Sequence, residues 1–245
     1  MKALEKIIKI GIRRFLDKGI KRYLPSAIIG AENKVQHNQF LVDIALAAIN
    51  DANRNSLTNL ATEKSHLKDS IYYDLFPGEH YRLLRSLVSV LGSRNIIEVG
   101  TFTGMGTVSL VKGMSDHGHV TTFDLIPWDQ FDTHLTNDLF DKKKVTQILA
   151  DLSEQEELAK HQELISRADL IFCDAPKDGV FEYKFLDLLT TIKFESKCLL
   201  ILDDIRFLNM ISLWWSVESP KLDLTSFGHW SGTGLVDISE GLKLR

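Results

Sequence analysis

Five carboxylates punctuate this 245-residue chain at nearly even spacing from residue 98 onward: Glu98, Asp124, Asp151, Asp174 and Asp203, separated by 26, 27, 23 and 29 residues. Each falls at the end of a short apolar or β-branched run: NIIEVG, HVTTFDL, KVTQILAD, ADLIFCDA and CLLILDD. Buried β-structure does not tolerate ionisable groups without partners. An acid closing one run could be a helix cap; five closing runs in register describe a row along one edge. In IFCDAPKDG the acid Asp174 is also followed three residues later by Lys177. The chemistry open to such an edge is ligand binding, because open α/β sheets hold their ligands at the carboxyl ends of the strands.

The elements that must position this row follow from the rhythm of the chain. From residue 95 onward, strand-like runs alternate with helical patterns about one βα repeat apart, which predicts βαβ units. The fold class is therefore α/β: a Rossmann-like, mostly parallel seven-stranded sheet with helices on both faces. After LLILDD comes a helical pattern, IRFLNMISLWWSV, and then LDLTSFGHWSGTGLVDI, whose two alternating runs predict a terminal antiparallel hairpin. Upstream, residues 34–50 and 79–92 read as helices, with a polar, loop-rich stretch between them. Residues 1–24 set Leu4, Ile7, Ile8, Ile12, Phe15, Leu16, Ile20 and Tyr23 at helical spacing among basic residues, predicting a basic amphipathic helix ending near Pro25. The division expected is an N-terminal helical extension over 1–75 and a ligand-binding domain over 76–245.

Composition narrows the class. With 44% hydrophobic residues the chain can bury one sizeable core. Its net charge of −4 argues against nucleic acid as a partner. The charge is uneven, +6 over residues 1–24 and −10 over the rest, so that helix could pack on its own domain, on a second copy in a homo-oligomer, or on a membrane surface. No run is long enough to span a bilayer, nothing resembles a signal peptide, and Cys173 and Cys198 sit in apolar runs as reduced thiols do; a cytoplasmic protein, peripheral to a membrane if the basic helix docks there, is expected. The histidines and cysteines show no zinc spacing.

IIEVGTFTGMG sets Gly100, Gly104 and Gly106 between a strand and a helix start. Glycines here let a cofactor approach the backbone, and a helix N-terminus offers free N–H groups. The spacing is not that of dinucleotide binders, which disfavours an NAD-dependent oxidoreductase, and no P-loop Lys follows. Asp124 lies where an acid would reach ribose hydroxyls. Glu-x-Gly-x-x-x-Gly-x-Gly followed by a strand-end acid resembles the class I S-adenosylmethionine-dependent methyltransferases. The resemblance implies that Glu98, Gly100, Thr101, Gly104 and Gly106 serve the methionine end of the cofactor and Asp124 its ribose. Asp151 or Leu152 would lie near the adenine, and Asp174 would border the cofactor.

DLIFCDAPKD and LLILDDI look like the metal-dependent small-molecule O-methyltransferases of the catechol and caffeoyl-CoA type, over about residues 79–216. What this implies is a divalent cation, Mg²⁺ or Ca²⁺, on Asp174, Asp203 and Asp204, with Lys177 as general base. A hard cation lowers the pKa of an acceptor hydroxyl and fixes its direction. A lysine close to that cation and to the sulfonium is pushed toward its neutral form. The family's Asn is replaced by Asp204, which adds a negative charge and could instead cap a helix starting at Ile205; Lys177 could equally be a turn lysine.

The acceptor side is less legible. Trp128, Trp214, Trp215 and Trp230 suit aromatic or sugar walls, although tryptophans at such positions commonly belong to the core. His229 is a hairpin-turn histidine or a second proton carrier. FPGEHYRLL is a lip over the cofactor or a helix start capped by Glu79 and His80. The function expected is methyl transfer to the hydroxyl of a small acceptor. The alternatives are a metal-independent methyltransferase acting on a carbohydrate or larger acceptor, and a non-catalytic cofactor-binding protein.

Overall fold

The computed structural model describes residues 37–207 and 209–245, which lie within one compact unit. The basic helix expected over residues 1–24 falls outside the described residues. The alternating runs become β1 Asn95–Val99, β2 His119–Asp124, β3 Val145–Leu149, β4 Leu170–Cys173, β5 Leu199–Asp203, β6 Lys221–Asp223 and β7 Thr233–Asp237. They form a seven-stranded sheet in the order β3-β2-β1-β4-β5-β7-β6. β1 to β5 are parallel; β7 pairs antiparallel with β5 and β6, which is the expected terminal hairpin. The chain winds outward from β1 to β3, then returns to lay β4 on the other side of β1. That reversal opens a crevice at the carboxyl ends of the strands.

The helices are α1 Gln39–Arg54, α2 Thr58–Glu63, α3 Tyr81–Leu91, α4 Met105–Gly113, α5 Asn137–Asp141, α6 Gln155–Lys160, α7 Gln162–Ser166, α8 Phe181–Leu189 and α9 Met210–Ser216. Strand alternation sorts the core into two layers. Ile97, Val99, Ile171, Cys173, Leu200 and Leu202 pack with Phe185, Leu186 and Leu189 of α8 and Leu213 and Trp214 of α9. Their neighbours Ile96, Leu170, Phe172, Leu199 and Ile201 pack with Leu83, Leu84, Leu87 and Val88 of α3, Leu110 of α4, and Leu41, Ala45 and Ala48 of α1. Strands covered on both sides must be apolar at every position, so LIFC and LLIL are continuous rather than alternating. Each such Leu or Ile contributes roughly 1.5–3 kcal/mol by burial. Glu98 shares its face with Ile96 and is the polar exception.

Two segments differ from expectation. The polar stretch between α1 and α3 is ordered into α2 and a 3₁₀ turn, Lys68–Asp74. Asp74 accepts hydrogen bonds from Leu57 N (2.8 Å) and Thr58 Oγ1 (2.6 Å), so α2 is held at its start by an acid sixteen residues further along the chain. Leu57, Leu60 and Tyr73 then bury against Met105 and Val108 of α4. The second difference follows β5. The helix expected from Ile205 begins at Met210, after a turn in which Phe207 N donates to Asp204 O at 2.8 Å. Asp204 is therefore not a helix cap, and its side chain is available for other partners. Among the described residues no helix is long and apolar enough to cross a membrane.

Candidate active site

The parallel strands deliver the acids to one edge in the spatial order Asp151, Asp124, Glu98, Asp174, Asp203, but only some of them meet a common space. A cavity of about 500 Å³ opens over β1, β2 and β4. Its rim carries Gly100, Asp124, Asp174 and Lys177, and its apolar walls include Phe102, Leu125, Ile126, Phe131 and Phe181. Phe102 and Phe131 meet edge to face at 5.2 Å and form a lip.

Glu98 does not line this cavity. It is fully buried beneath the glycine loop, where Thr107 Oγ1 donates to its Oε2 while Oε1 has no hydrogen-bond partner among the described residues. Burial pushes its pKa up to about 8, against the opposing hydrogen bonds of Thr107 and Thr122. Thr101 is also turned inward, its hydroxyl 2.7 Å from Thr122 Oγ1. Asp151 accepts from Ser153 N at 2.9 Å and closes a turn, and Leu152 is core; neither borders the cavity. At that position Ala150 does.

The glycine loop is built by packing. A Cβ on Gly100, whose φ is +99°, would lie 2.1 Å from the Asp174 carbonyl oxygen, and one on Gly106 would lie 2.5 Å from Glu98 Oε1. These glycines let β1 and α4 press against neighbouring protein, and Gly100 also lines the cavity. Asp124 anchors the loop: Thr101 N and Phe102 N donate to its Oδ2, both at 2.9 Å, and Leu125 N (2.7 Å) and Ile126 N (3.1 Å) donate to its Oδ1.

Beside the cavity, β4, β5 and the β6–β7 connection bring a charged corner together. Lys177 Nζ contacts Asp174 Oδ1, Asp204 Oδ2 at 3.1 Å and Asp203 Oδ2 at 3.6 Å. Lys177 and Asp204 both adopt left-handed backbone, φ +59° and +57°, a conformation costly for L-residues and persisting where surroundings enforce it. For Lys177 the enforcement comes from Glu182, buried on α8, whose carboxylate accepts from Lys177 N (2.5 Å) and Gly179 N (3.3 Å). Nothing in the spacing of the sequence marked Glu182. Asp204 is held by Ser231 Oγ, which donates to its Oδ1.

Two histidines complete the corner. His229 Nδ1 lies 3.1 Å from Asp203 Oδ1 and 3.3 Å from Asp204 Oδ1, and its Nε2 lies 3.5 Å from Glu79 Oε2. His80 occupies the residue before α3 but makes no capping bond; its ring turns inward, Nδ1 3.2 Å from Asp203 Oδ1. The expected caps Glu79 and His80 thus belong to the site instead. A parallel bridge between Gly78 and His229, with Trp230 N donating to Gly78 O at 3.0 Å, ties the two loops. Only tertiary contact brings residues 79, 80 and 229 to Asp203.

Burial would raise the Asp203 carboxyl, but His80 and His229 outweigh it and hold the pKa well below the usual range. Burial and the nearby Asp203 raise that of Asp174. Burial opposes the charge on His229, yet its hydrogen bonds to Asp203 and Asp204 carry the pKa up to about 10. Lys177 is half-buried, and Asp174, Asp203 and Asp204 overcome the cost of that to raise its pKa above the ordinary lysine value. Without cofactor or cation, the corner favours the charged form of Lys177; the neutral amine expected from the sequence is that of a lysine beside a bound cation and the sulfonium. Three carboxylates outweigh burial.

The sheet order, the crevice and the acid–lysine corner together define a class I methyltransferase. The chain belongs to the O-methyltransferase family, whose model matches residues 50–205. Among solved structures, one from Staphylococcus aureus assigned as a caffeoyl-CoA O-methyltransferase is 18% identical, with TM-score 0.52, covering 81% of this chain and 97% of the other. A Podospora anserina methyltransferase with SAH bound is 15% identical over 89% of this chain and all of the other (100%), TM-score 0.49. A Bacillus cereus O-methyltransferase in complex with SAH is 18% identical over 81% and 95%, TM-score 0.43. At these identities the likeness is one of fold. No curated protein matches the sequence.

Proposed function

We propose that this enzyme moves the methyl group of S-adenosylmethionine to a hydroxyl of a small acceptor, with a divalent cation on Asp174, Asp203 and Asp204 and Lys177 as general base. The observation that carries this reading is the convergence of Lys177 with those three acids at the rim of the cavity beside the glycine loop. The cavity suits the cofactor: Phe102, Leu125, Ile126, Phe131 and Phe181 supply apolar walls for an adenine, and Asp124 lies on its rim. The carboxylates suit a cation, since one oxygen from each lies within 4.8 Å of the others and all-oxygen donors favour Mg²⁺ or Ca²⁺. A cation bound there would lower the pKa of an acceptor hydroxyl and fix its direction.

This chain's own residues do the rest. Asp124 fixes the loop that carries the aromatic lip, and Glu182 holds the Lys177 backbone in the turn that points Nζ at the acids. Lys177 can accept a proton only when its own charge is given up, so its role as base requires the negative charge of Asp174, Asp203 and Asp204 to be neutralised by something else. Transfer of labelled methyl from the cofactor to a panel of phenols and sugars, with and without Mg²⁺, tests the proposal. No transfer and no SAH binding by calorimetry would overturn it.

A metal-independent transferase is the second reading, favoured by one observation: the Lys177 ammonium already balances the three carboxylates. Transfer that persists in chelator would select it. Retained SAH affinity with lost turnover in Lys177→Ala would exclude a binding protein without catalysis.

A further inference from the structure

In the chemistry above His80 does no more than favour the charged form of Asp203. The ring is 2% exposed, and neither nitrogen has a hydrogen-bond partner among the described residues. Its Nδ1 nonetheless lies 3.2 Å from Asp203 Oδ1, close enough to bond but not oriented to do so. A buried imidazole with both nitrogens unsatisfied is destabilising, and such a group in a folded protein points to an ion or other ligand. His229 Nδ1 lies 3.1 Å from the same Asp203 oxygen. One atom each from His80, Asp203 and His229 falls within 4.8 Å of the others.

We infer that His80, Asp203 and His229 form a transition-metal site, distinct from the all-oxygen cluster and joined to it through Asp203. Three features carry this. The two measured edges, 3.2 and 3.1 Å, fit donors around an ion with bonds near 2.1 Å, for which neighbouring donors sit about 3.0–3.4 Å apart. Asp203 Oδ1 meets both imidazoles, while its Oδ2 lies 3.3 Å from His229 Nδ1 and 3.6 Å from Lys177 Nζ, so the carboxylate stands between the two positions. And a carboxylate stands behind His229, whose Nε2 lies 3.5 Å from Glu79 Oε2, within reach of the support that orients a ligating imidazole.

The donor set decides the ion. Two imidazoles and one carboxylate favour Zn²⁺, Fe²⁺, Co²⁺ or Ni²⁺ over Mg²⁺ and Ca²⁺, which take oxygen. The site needs no help from Lys177, Asp174 or Asp204. It stands whether or not the protein transfers methyl groups.

Titration of the metal-free protein with Co²⁺ alone, followed by visible absorption and by paramagnetically shifted imidazole N–H resonances, tests the site. The wild type is expected to show d–d bands and two shifted imidazole signals. His229→Gln and His80→Gln should each weaken Co²⁺ by about 100-fold or more, and Glu79→Gln by 10–100-fold, while Asp174→Asn leaves Co²⁺ within a few-fold. Wild-type Co²⁺ binding without imidazole signals, or binding lost in Asp174→Asn and indifferent to both histidine variants, would overturn the inference by putting the ion on the carboxylates. The wild-type spectra decide it even if His80→Gln does not fold.

Discussion

Glu98→Gln probes the buried carboxyl under the glycine loop. Its pKa is about 8 in the folded protein against an ordinary 4.5. The folded state therefore keeps a proton that the unfolded chain releases above pH 4.5, and stability falls as pH rises from there to about 8, flattening beyond both ends. At roughly 1.4 kcal/mol per pH unit the loss across that window amounts to about 5 kcal/mol, most of it spent by pH 7. Glutamine keeps the shape and cannot ionise, so the variant's stability should lack this slope. Urea unfolding followed by tryptophan fluorescence from pH 5 to pH 8.5 reads the difference directly. The two curves should diverge by up to about 1.4 kcal/mol per pH unit, the variant gaining on the wild type as pH rises. Parallel curves would refute the reasoning, because they would mean that Glu98 ionises in the folded protein as readily as in the unfolded chain.

Lys177→Met should lower labelled methyl transfer by about 10²–10⁴-fold, the usual contribution of a general base, with SAH affinity by calorimetry little changed; undiminished transfer would remove the lysine from the chemistry. Gly100→Ala forces a Cβ to 2.1 Å from a backbone oxygen at φ +99°, so a loss of about 3 kcal/mol or more is expected in thermal unfolding. Phe102→Ala opens the aromatic lip and should weaken SAH by about tenfold, a contact of about 1.4 kcal/mol; an unchanged dissociation constant would place the cofactor elsewhere. In the metal-free protein His229 has its pKa raised from 6.5 to about 10. The stabilisation from its charge is complete below 6.5 and lost as pH rises through about 10. Its ring proton shifts should accordingly stay constant from pH 6 to 8 in NMR, and a midpoint near 6.5 would contradict the ion-pair geometry.

Much of the architecture was open to reading because strands buried on both faces must be continuously apolar and must end where the chain reaches water. LIFC, LLIL and the acids after them are direct expressions of that rule, and the lysine three residues past Asp174 is bound to its acid by the turn between them. The glycine loop was found for its spacing, yet its glycines answer to the Asp174 carbonyl, to Glu98 and to Leu135. Spacing reports that a Cβ is missing; it does not say what fills the space. The helix after β5 started late for a similar reason: the helical pattern of IRFLNMISLWWSV cannot anticipate a left-handed Asp204 held by Ser231 from another loop.

Local order and periodicity sufficed for what depends on a residue and its near neighbours: the strands, the parallel winding and the row of carboxyl-edge acids. Which acids share a site depends on contacts between distant segments. Glu98 and Asp151 stand in the same row as Asp124, Asp174 and Asp203, but one is sealed under α4 and the other closes a turn. Glu79 and His80 lie more than 120 residues from Asp203 in the chain, and His229 reaches it from the terminal hairpin. Their meeting, and the field that keeps Lys177 charged, exist only once the sheet is closed, because a Coulomb interaction depends on separation through space and not along the chain.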